Sequence, residues 1–227
     1  MDSKEFETFS TNVPLFANLS PVDRQAIFSI MIQRNFKTGE VIVHEEDEVH
    51  QTFFIIVSGS VHVAVLSSEG KQAILATLRP GEFFGEMAIL DGEPRSASVI
   101  AAEQCKLMML YRKPFMEILQ KYPKIAIAML VEMSRRLRRT NRHVNTLSMM
   151  SVFGRVADVL LQMAKDSGRK VGTVTVIDRR PTHQTIADMA GTSRETVSRV
   201  LSQLQKKRYL MIDRKRLVIL DETKLYY

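Results

Sequence analysis

The stretch Val13 to Met31 reads as short helices, with Asn18-Leu19-Ser20-Pro21 supplying a serine cap and a proline for the first helical position. From Phe36 to Leu110 the texture changes to short β-rich runs punctuated by glycine. These runs are Glu40–Val43, Phe53–Val57, Ser60–Leu66, Ala73–Leu78 and Ala97–Ile100. Ser58-Gly59, Glu69-Gly70-Lys71 and Pro80-Gly81 fall where the runs must turn. Several short strands at near-regular spacing, hairpin after hairpin, predict a small antiparallel barrel or sandwich.

Beyond Lys113 the period becomes helical. Leu130, Met133, Leu137, Thr140, Val144 and Leu147 alternate three and four apart, a narrow seam over about three heptads. Arg135, Arg138, Arg139 and Arg142 occupy the other side of that helix. The seam can pack on the chain's own β domain, but its length, narrowness and polar Thr140 favour a two-stranded homodimer contact. A second helix is predicted from Ser151 to Lys165, stopped by Ser167-Gly168, with a short strand over Gly172–Ile177. Helices over Thr182–Ala190 and Ser193–Lys206 meet at a Gly191-Thr192 corner. A terminal hairpin pairs Leu210–Ile212 with Leu217–Leu220 across the basic turn Asp213-Arg214-Lys215-Arg216.

Charge sharpens this two-part reading. The 227 residues carry a formal net charge of +7, but Ser134 to Tyr227 holds 20 Lys and Arg against 8 Asp and Glu, a net of +12. The first 133 residues are acidic by 5. Such asymmetry points to a polyanionic partner on one side only. Composition is otherwise that of a globular protein, without an apolar run of the ~20 residues a membrane helix needs. The polar N-terminus lacks a signal-peptide core, so a cytoplasmic protein with no membrane partner is expected. The single cysteine, Cys105, cannot form an internal disulfide and is expected to be buried strand filler.

Residues His183 to Leu201 fit a helix-turn-helix. Ile186 and Met189-Ala190 supply the inner face of its first helix, Ala187 is small at the crossing, and Gly191 suits a left-handed corner. Ser193 caps the second helix and Val197, Val200 and Leu201 anchor it, which leaves Arg194, Glu195, Ser198 and Arg199 on the exposed side. Arginine can bridge guanine O6 and N7, and glutamate can accept from cytosine N4. Any one of these features also suits a plain helical hairpin with solvating arginines. Their agreement with the +12 balance decides for double-stranded DNA.

A second constellation closes the β domain: Gly81-Glu82-Phe83-Phe84-Gly85-Glu86-Met87-Ala88, then Pro94-Arg95-Ser96-Ala97. Gly85, Glu86, Met87 and Ala88 can open a short helix with free amides toward an anion. Arg95 adds a planar cationic fork and Ser96 a hydroxyl, while Glu86 suits a sugar hydroxyl better than a phosphate. These are the parts of a sugar–phosphate pocket. A turn and a salt bridge remain the simpler account of the same residues taken singly.

The cassette Gly85-Glu86…Pro94-Arg95-Ser96-Ala97 resembles the phosphate-binding cassette of cyclic-nucleotide-binding domains. Taken with Arg135-Arg136-Leu137-Arg138-Arg139-Thr140-Asn141, Gly154-Arg155-Val156-Ala157 and Ser193-Arg194-Glu195-Thr196-Val197, it makes the chain similar to the bacterial cyclic AMP receptor protein (catabolite activator) family, in order, over Val13 to Leu220. The resemblance implies an α+β architecture. Residues 1–122 form a cyclic-nucleotide-binding antiparallel β-roll, 123–150 a long dimerisation helix and hinge, and 151–227 a winged helix-turn-helix. It implies that Gly85 and Glu86, with neighbouring Met87 and Ala88, hold the ribose side of cyclic AMP, and that Arg95 and Ser96 hold its phosphate. Arg136 and Thr140 join the ligand set from the same chain, and Asn141 reaches the base from the partner. The best-known members have serine where Asn141 stands, and an amide can also adapt to guanine. Arg194, Glu195 and Arg199 match the base-reading residues for TGTGA-like half-sites. Thr182, Gln184 and Ser193 match backbone-positioning places, with Ser198 on the same exposed side. His183 replaces a position that is often basic.

The implied protein is a cyclic-nucleotide-gated, homodimeric transcription regulator, with RNA polymerase as a further partner. The loop Asp166 to Thr173 is a polymerase-facing candidate by position. No nucleophile–base set, metal cluster or phosphate-binding Gly-Lys-Ser/Thr loop is present, so neither catalysis nor a metal is expected. His44, His50, His62, His143 and His183 show no clustered spacing, and one cysteine excludes an iron–sulfur sensor. Alternatives are the same regulator gated by cyclic di-GMP or cyclic GMP, or by no ligand. A nucleotide-binding regulatory subunit acting on a protein is disfavoured by the helix-turn-helix.

Overall fold

Ser20 opens the first regular helix, α1 (Pro21–Ser29). Its hydroxyl accepts the Asp23 amide at 3.1 Å, and Pro21 stands where an amide would have no helical partner. A 3-10 turn, Pro14–Phe16, precedes it. The computed structural model describes residues 9–11, 13–47, 51–66, 72–213 and 216–226, in two compact units, Met1–Arg138 and Arg139–Tyr227.

In the first unit the described residues form β1 (Ile32–Phe36), β2 (Val41–Val43), β3 (Thr52–Ser58), β4 (Val61–Leu66), β5 (Gln72–Leu78), β6 (Phe83–Phe84), β7 (Ser98–Ala101) and β8 (Cys105–Tyr111), with α2 (Glu86–Asp91) between β6 and β7. One antiparallel sheet runs β1-β8-β3-β6 and a second runs β2-β7-β4-β5. β3 explains why its sequence is apolar without alternation. Phe53 and Ile55 pack toward α1 and later helices with Phe16, Phe28 and Phe115, while Phe54 and Ile56 pack toward the second sheet with Val61, Leu78 and Val99. Both faces are covered, so both phases of the pleat are buried. Cys105 is buried at the start of β8, as expected of strand filler. Gly59 turns β3 into β4 at φ +82°. The turn expected at Glu69-Gly70-Lys71 lies outside the described residues, although β4 and β5 on either side pair antiparallel. β1, unforeseen in the sequence, is a largely exposed edge strand.

Helix α3 (Arg112–Lys121) leads to α4 (Pro123–Met149), whose 27 residues extend about 40 Å at 1.5 Å per residue. Ile125 and Met129 are buried in the first unit's core. Along the expected seam Leu130 is 64% exposed and Leu137 62%, Val144 and Thr140 are exposed, and Met133 is half-buried. The Leu147 side chain is outside the described set.

The second unit holds α5 (Val152–Ser167), β9 (Arg169–Val171), β10 (Val174–Ile177), α6 (His183–Ala190), α7 (Arg194–Lys206), β11 (Leu210–Asp213) and β12 (Arg216–Ile219). Ser151 caps α5 by accepting the Gly154 amide at 3.2 Å. The sheet order is β11-β12-β10-β9, all antiparallel. Its core includes Leu160, Ile186, Leu201, Leu204, Leu210 and Leu217. The segment expected to be a loop from Asp166 to Thr173 instead ends α5 and forms β9, an exposed polar strand that folds back on β10. Among the described residues, no helix is long and apolar enough to cross a membrane.

Candidate functional site

The first candidate site gathers around Gly85. At φ +83° it passes the chain from β6 into α2, and a methyl group there would come 2.4 Å from the Thr52 carbonyl. Only glycine accepts both the backbone sign and that approach. The turn buries Glu86 (4% exposed) and Ala88, and leaves Met87 exposed. Arg95 arrives from the loop before β7 and is also buried, at 5% exposed. Its Nη1 donates to the Gly85 carbonyl at 2.8 Å, and its Nη2 donates to the Thr52 carbonyl at 2.9 Å. The fork anticipated for an anion is thus anchored by two backbone carbonyls on adjoining segments. Exposed Ser96 directs its hydroxyl toward Met87 Sδ at 3.7 Å.

Arg136 reaches the same place from α4. Its Nη1 donates to Glu86 Oε1 at 3.1 Å, its Nη2 donates to the Phe83 carbonyl, and its guanidinium lies 4.4 Å over the Phe83 ring. Glu132, one turn earlier, approaches Arg136 Nε at 3.7 Å. Burial raises the Glu86 carboxyl above its ordinary range, opposed by Arg136, the residue's own amide and Arg95. Burial likewise lowers Arg95, opposed by Asp47 and Glu86. The structure therefore brings Gly85, Glu86, Arg95 and Arg136 together. Thr140 and Asn141 are exposed farther along α4. Thr52 and Phe83, not singled out from sequence, position the two arginines. Phe83 lay within a motif already marked, whereas Thr52 is 43 residues from Arg95 and gave no local sign.

The second site is built on α6 and α7. Gly191 takes φ +59° and ψ +51° at the corner, and Ala187 is fully buried where the helices cross. Thr182 caps α6 by accepting the Thr185 amide at 3.0 Å, and Ser193 caps α7 by accepting the Thr196 amide at 3.3 Å. Val197, Val200 and Leu201 are buried, while Arg194, Glu195 and Arg199 are exposed. Arg199 Nη2 donates to Thr196 Oγ1 at 3.2 Å, and exposed Gln184 donates to Asp188 at 2.7 Å. The Glu195 carboxyl lies below its ordinary range, held by its own amide at the helix start and by the Ser193 hydroxyl.

Ser198 departs from the exposed position expected of it. It is half-buried, donates to the Arg194 carbonyl at 3.0 Å and bonds His183 Nδ1 at 2.8 Å. Arg155, quoted from sequence only within a motif, holds the corner by donating to the Ala190 carbonyl at 2.9 Å and the Gly191 carbonyl at 3.1 Å. At the terminal hairpin Arg214 and Lys215 lie outside the described residues. Arg216 is exposed and pairs with Asp178 at 3.4 Å.

Residues 33–122 match the cyclic nucleotide-binding domain family, and residues 154–226 match the Crp-like helix-turn-helix domain family. The cyclic AMP receptor protein of Thermus thermophilus is 34% identical over 194 residues, 86% of each chain. The cAMP-activated global transcriptional regulator CRP of Escherichia coli is 32% identical over 81% of this chain and 87% of its own length. Among solved structures, the c-di-GMP responsive global regulator CLP of Xanthomonas campestris shares the fold at a TM-score of 0.78 and 24% identity, covering 88% of this chain and 99% of that one. With both domain families matched in order, and relatives above 30% identity along most of their length, the chain belongs to the cyclic AMP receptor protein family of DNA-binding transcription regulators.

Proposed function

We propose that this chain is a cyclic AMP-responsive regulator acting as a homodimer on palindromic DNA built from TGTGA-like half-sites. Residues 1–122 bind the nucleotide, 123–150 dimerise and hinge, and 151–227 read DNA. The observation that carries this reading is the buried pair Glu86 and Arg95 at the left-handed Gly85 turn, with half-buried Arg136 donating to Glu86. A buried carboxylate beside one buried and one half-buried cation suits a ligand that joins an anion to a hydroxylated sugar. Arg95 and Ser96 take the cyclic phosphate beside the Gly85–Ala88 backbone, and Glu86 accepts a ribose hydroxyl. Thr140 reaches the base from the same chain and Asn141 from the partner. Because Glu86 already receives Arg136, a ribose hydroxyl must share or displace a contact made by the dimerisation helix. The ligand then biases that helix by its differential affinity for the two arrangements.

At the DNA, Arg194 bridges guanine, Glu195 accepts from cytosine and Arg199 reads a further base edge, with Thr182, Gln184 and Ser193 positioned at the backbone. Two such heads enter successive major grooves roughly 34 Å apart. The protein works in the cytoplasm, needs no metal or membrane, carries out no catalysis and presents a surface to RNA polymerase.

Cyclic di-GMP is the second reading, favoured by the amide of Asn141 and by the fold shared with a regulator described as responsive to it. Calorimetric titration of the full-length protein with cyclic AMP, cyclic GMP and cyclic di-GMP separates the two. Tightest binding of cyclic AMP, lost in Arg95→Leu, is the expected result. Undiminished binding in Arg95→Leu refutes the pocket, and preference for cyclic di-GMP refutes the effector. DNA affinity should fall steeply with salt, and a flat dependence contradicts the phosphate contacts.

A further inference from the structure

His183 is the first residue of α6, yet its ring turns toward α7. Nδ1 lies 2.8 Å from Ser198 Oγ, and Ser198 Oγ lies 3.0 Å from the Arg194 carbonyl. A carbonyl can only accept, so the one Ser198 proton goes to Arg194. Ser198 Oγ must then accept from His183, which places the ring proton on Nδ1. The lone pair of the neutral ring is left on Nε2, which is buried and has no hydrogen-bond partner among the described residues. A second proton would need an acceptor at Nε2 that the site lacks. The charged groups that face the ring are Arg180, from the loop before α6, and Arg194, from α7. Burial first, and then these two cations, hold His183 below its ordinary range.

We infer that His183 is a positioning residue for base recognition: its Nδ1–H···Ser198 Oγ–H···Arg194 O relay ties α6 to the first turn of α7 and sets where Arg194 stands. The inference rests on the DNA-reading role proposed for α7 and deepens it. It assigns His183 a different task from the phosphate contact that a basic residue would make at this place. One ring nitrogen is engaged by Ser198 and the other is buried, so the ring has no donor to offer a phosphate. The sign of the pH effect follows. Protonation adds a hydrogen at Nε2 and leaves the Nδ1–H donor in place, so the pH effect is the cost of a charged ring whose buried Nε2–H has no acceptor among the described residues. The site is fully stable above about pH 6.5 and loses stability as pH falls through the ring's lowered folded value.

The test joins two measurements on the full-length protein. Side-chain ¹⁵N NMR without DNA, with His183→Asn identifying the signal, should show an Nδ1–H ring that stays neutral at pH 6.5. Binding is then measured between pH 5.5 and 8 against a duplex with two TGTGA half-sites and a scrambled duplex of equal length, in the effector state that binds tightest. His183→Ala and Ser198→Ala should each weaken the specific complex by roughly threefold to tenfold, the range of one internal hydrogen bond. The double variant should be no weaker than the worse single one, and the scrambled complex and the salt slope should not change. His183→Asn, which keeps a donor near the Nδ1 position, should recover most of the affinity and show less loss at low pH than the wild type. An Nε2–H ring, multiplicative effects of the two alanines, or a shallower salt slope in His183→Ala overturns the positioning role. If NMR shows the relay but the wild type does not discriminate between the duplexes, the DNA-reading role fails and the positioning role fails with it.

Discussion

In a Gly85→Ala variant the new methyl group would sit 2.4 Å from the Thr52 carbonyl oxygen and 2.8 Å from Arg95 Nη1. The φ of +83° alone costs an L-residue about 1–2 kcal/mol. Neither neighbour can retreat cheaply. Thr52 is paired across to Tyr111 in β8, and Arg95 is fastened to the carbonyls on both sides of the collision. Crowding of this kind typically adds about 1–3 kcal/mol, for a total of about 2–5 kcal/mol. At roughly 2–4 °C per kcal/mol for a protein of this size, the first unit should melt roughly 4–20 °C lower. Gly92→Ala is the internal control, since Gly92 has φ +79° and nothing within 4 Å of the added carbon. Differential scanning calorimetry of both full-length variants reads the difference, with melting of the second unit as the fixed reference. Nucleotide affinity should fall with Gly85→Ala and hold with Gly92→Ala. Equal melting shifts for the two variants would refute the argument, because the strain would then be purely conformational and Gly85 would not be pressed between Thr52 and Arg95.

Arg194→Ala should relax base preference at one position of each half-site by about 1–3 kcal/mol, read from binding to single-substitution duplexes. Leu137→Glu should dissociate the proposed homodimer. Leu137 is exposed in the single chain, and covering one from each protomer would contribute about 1.5–3 kcal/mol apiece. The variant should therefore sediment as a monomer at micromolar concentration in analytical ultracentrifugation where the wild type sediments as a dimer. Because burial raises the Glu86 carboxyl, its contribution to stability is complete below the ordinary carboxylate value of about 4.3 and is lost as pH rises through the raised folded value. Urea unfolding of the wild type across that window should therefore gain stability toward acid relative to Glu86→Gln, and parallel curves would contradict the assignment.

Legibility followed chemical specificity. The caps at Ser20 and Ser193 were readable because a hydroxyl before a helix has one dominant use, and each accepts the amide three residues on, as do Ser151 and Thr182, which the sequence marked only as helix starts. Gly191 was readable because its left-handed corner leaves little choice, whereas Gly85 was marked by its motif and its left-handed φ came only with the structure. β1 and β9 were not, since Ile32-Gln33-Arg34-Asn35-Phe36 and Arg169-Lys170-Val171 are largely exposed edge strands whose side chains bury little. β1 takes its order from β8, far along the chain and outside any local window, and β9 from the adjacent β10 across Gly172-Thr173, a pairing its own polar residues do not announce. The site divided the same way. Glu86 and Arg95 carried their chemistry in a short motif, whereas Thr52 contributes mainly a backbone carbonyl, a group every residue possesses. Ser198 is half-buried where spacing predicts exposure, because helical spacing gives a direction but not the neighbour, His183, that occupies it.

Arg155 joins what the chain order keeps apart. Besides the Ala190 and Gly191 carbonyls that end α6, its Nη1 donates to the Met150 carbonyl at 3.4 Å, just past the end of α4. One guanidinium thus serves the negative ends of two helix dipoles. The reading corner is consequently latched to the last turn of the long helix. A rotation of that turn would carry the corner with it as one lever, without being absorbed in the residues between.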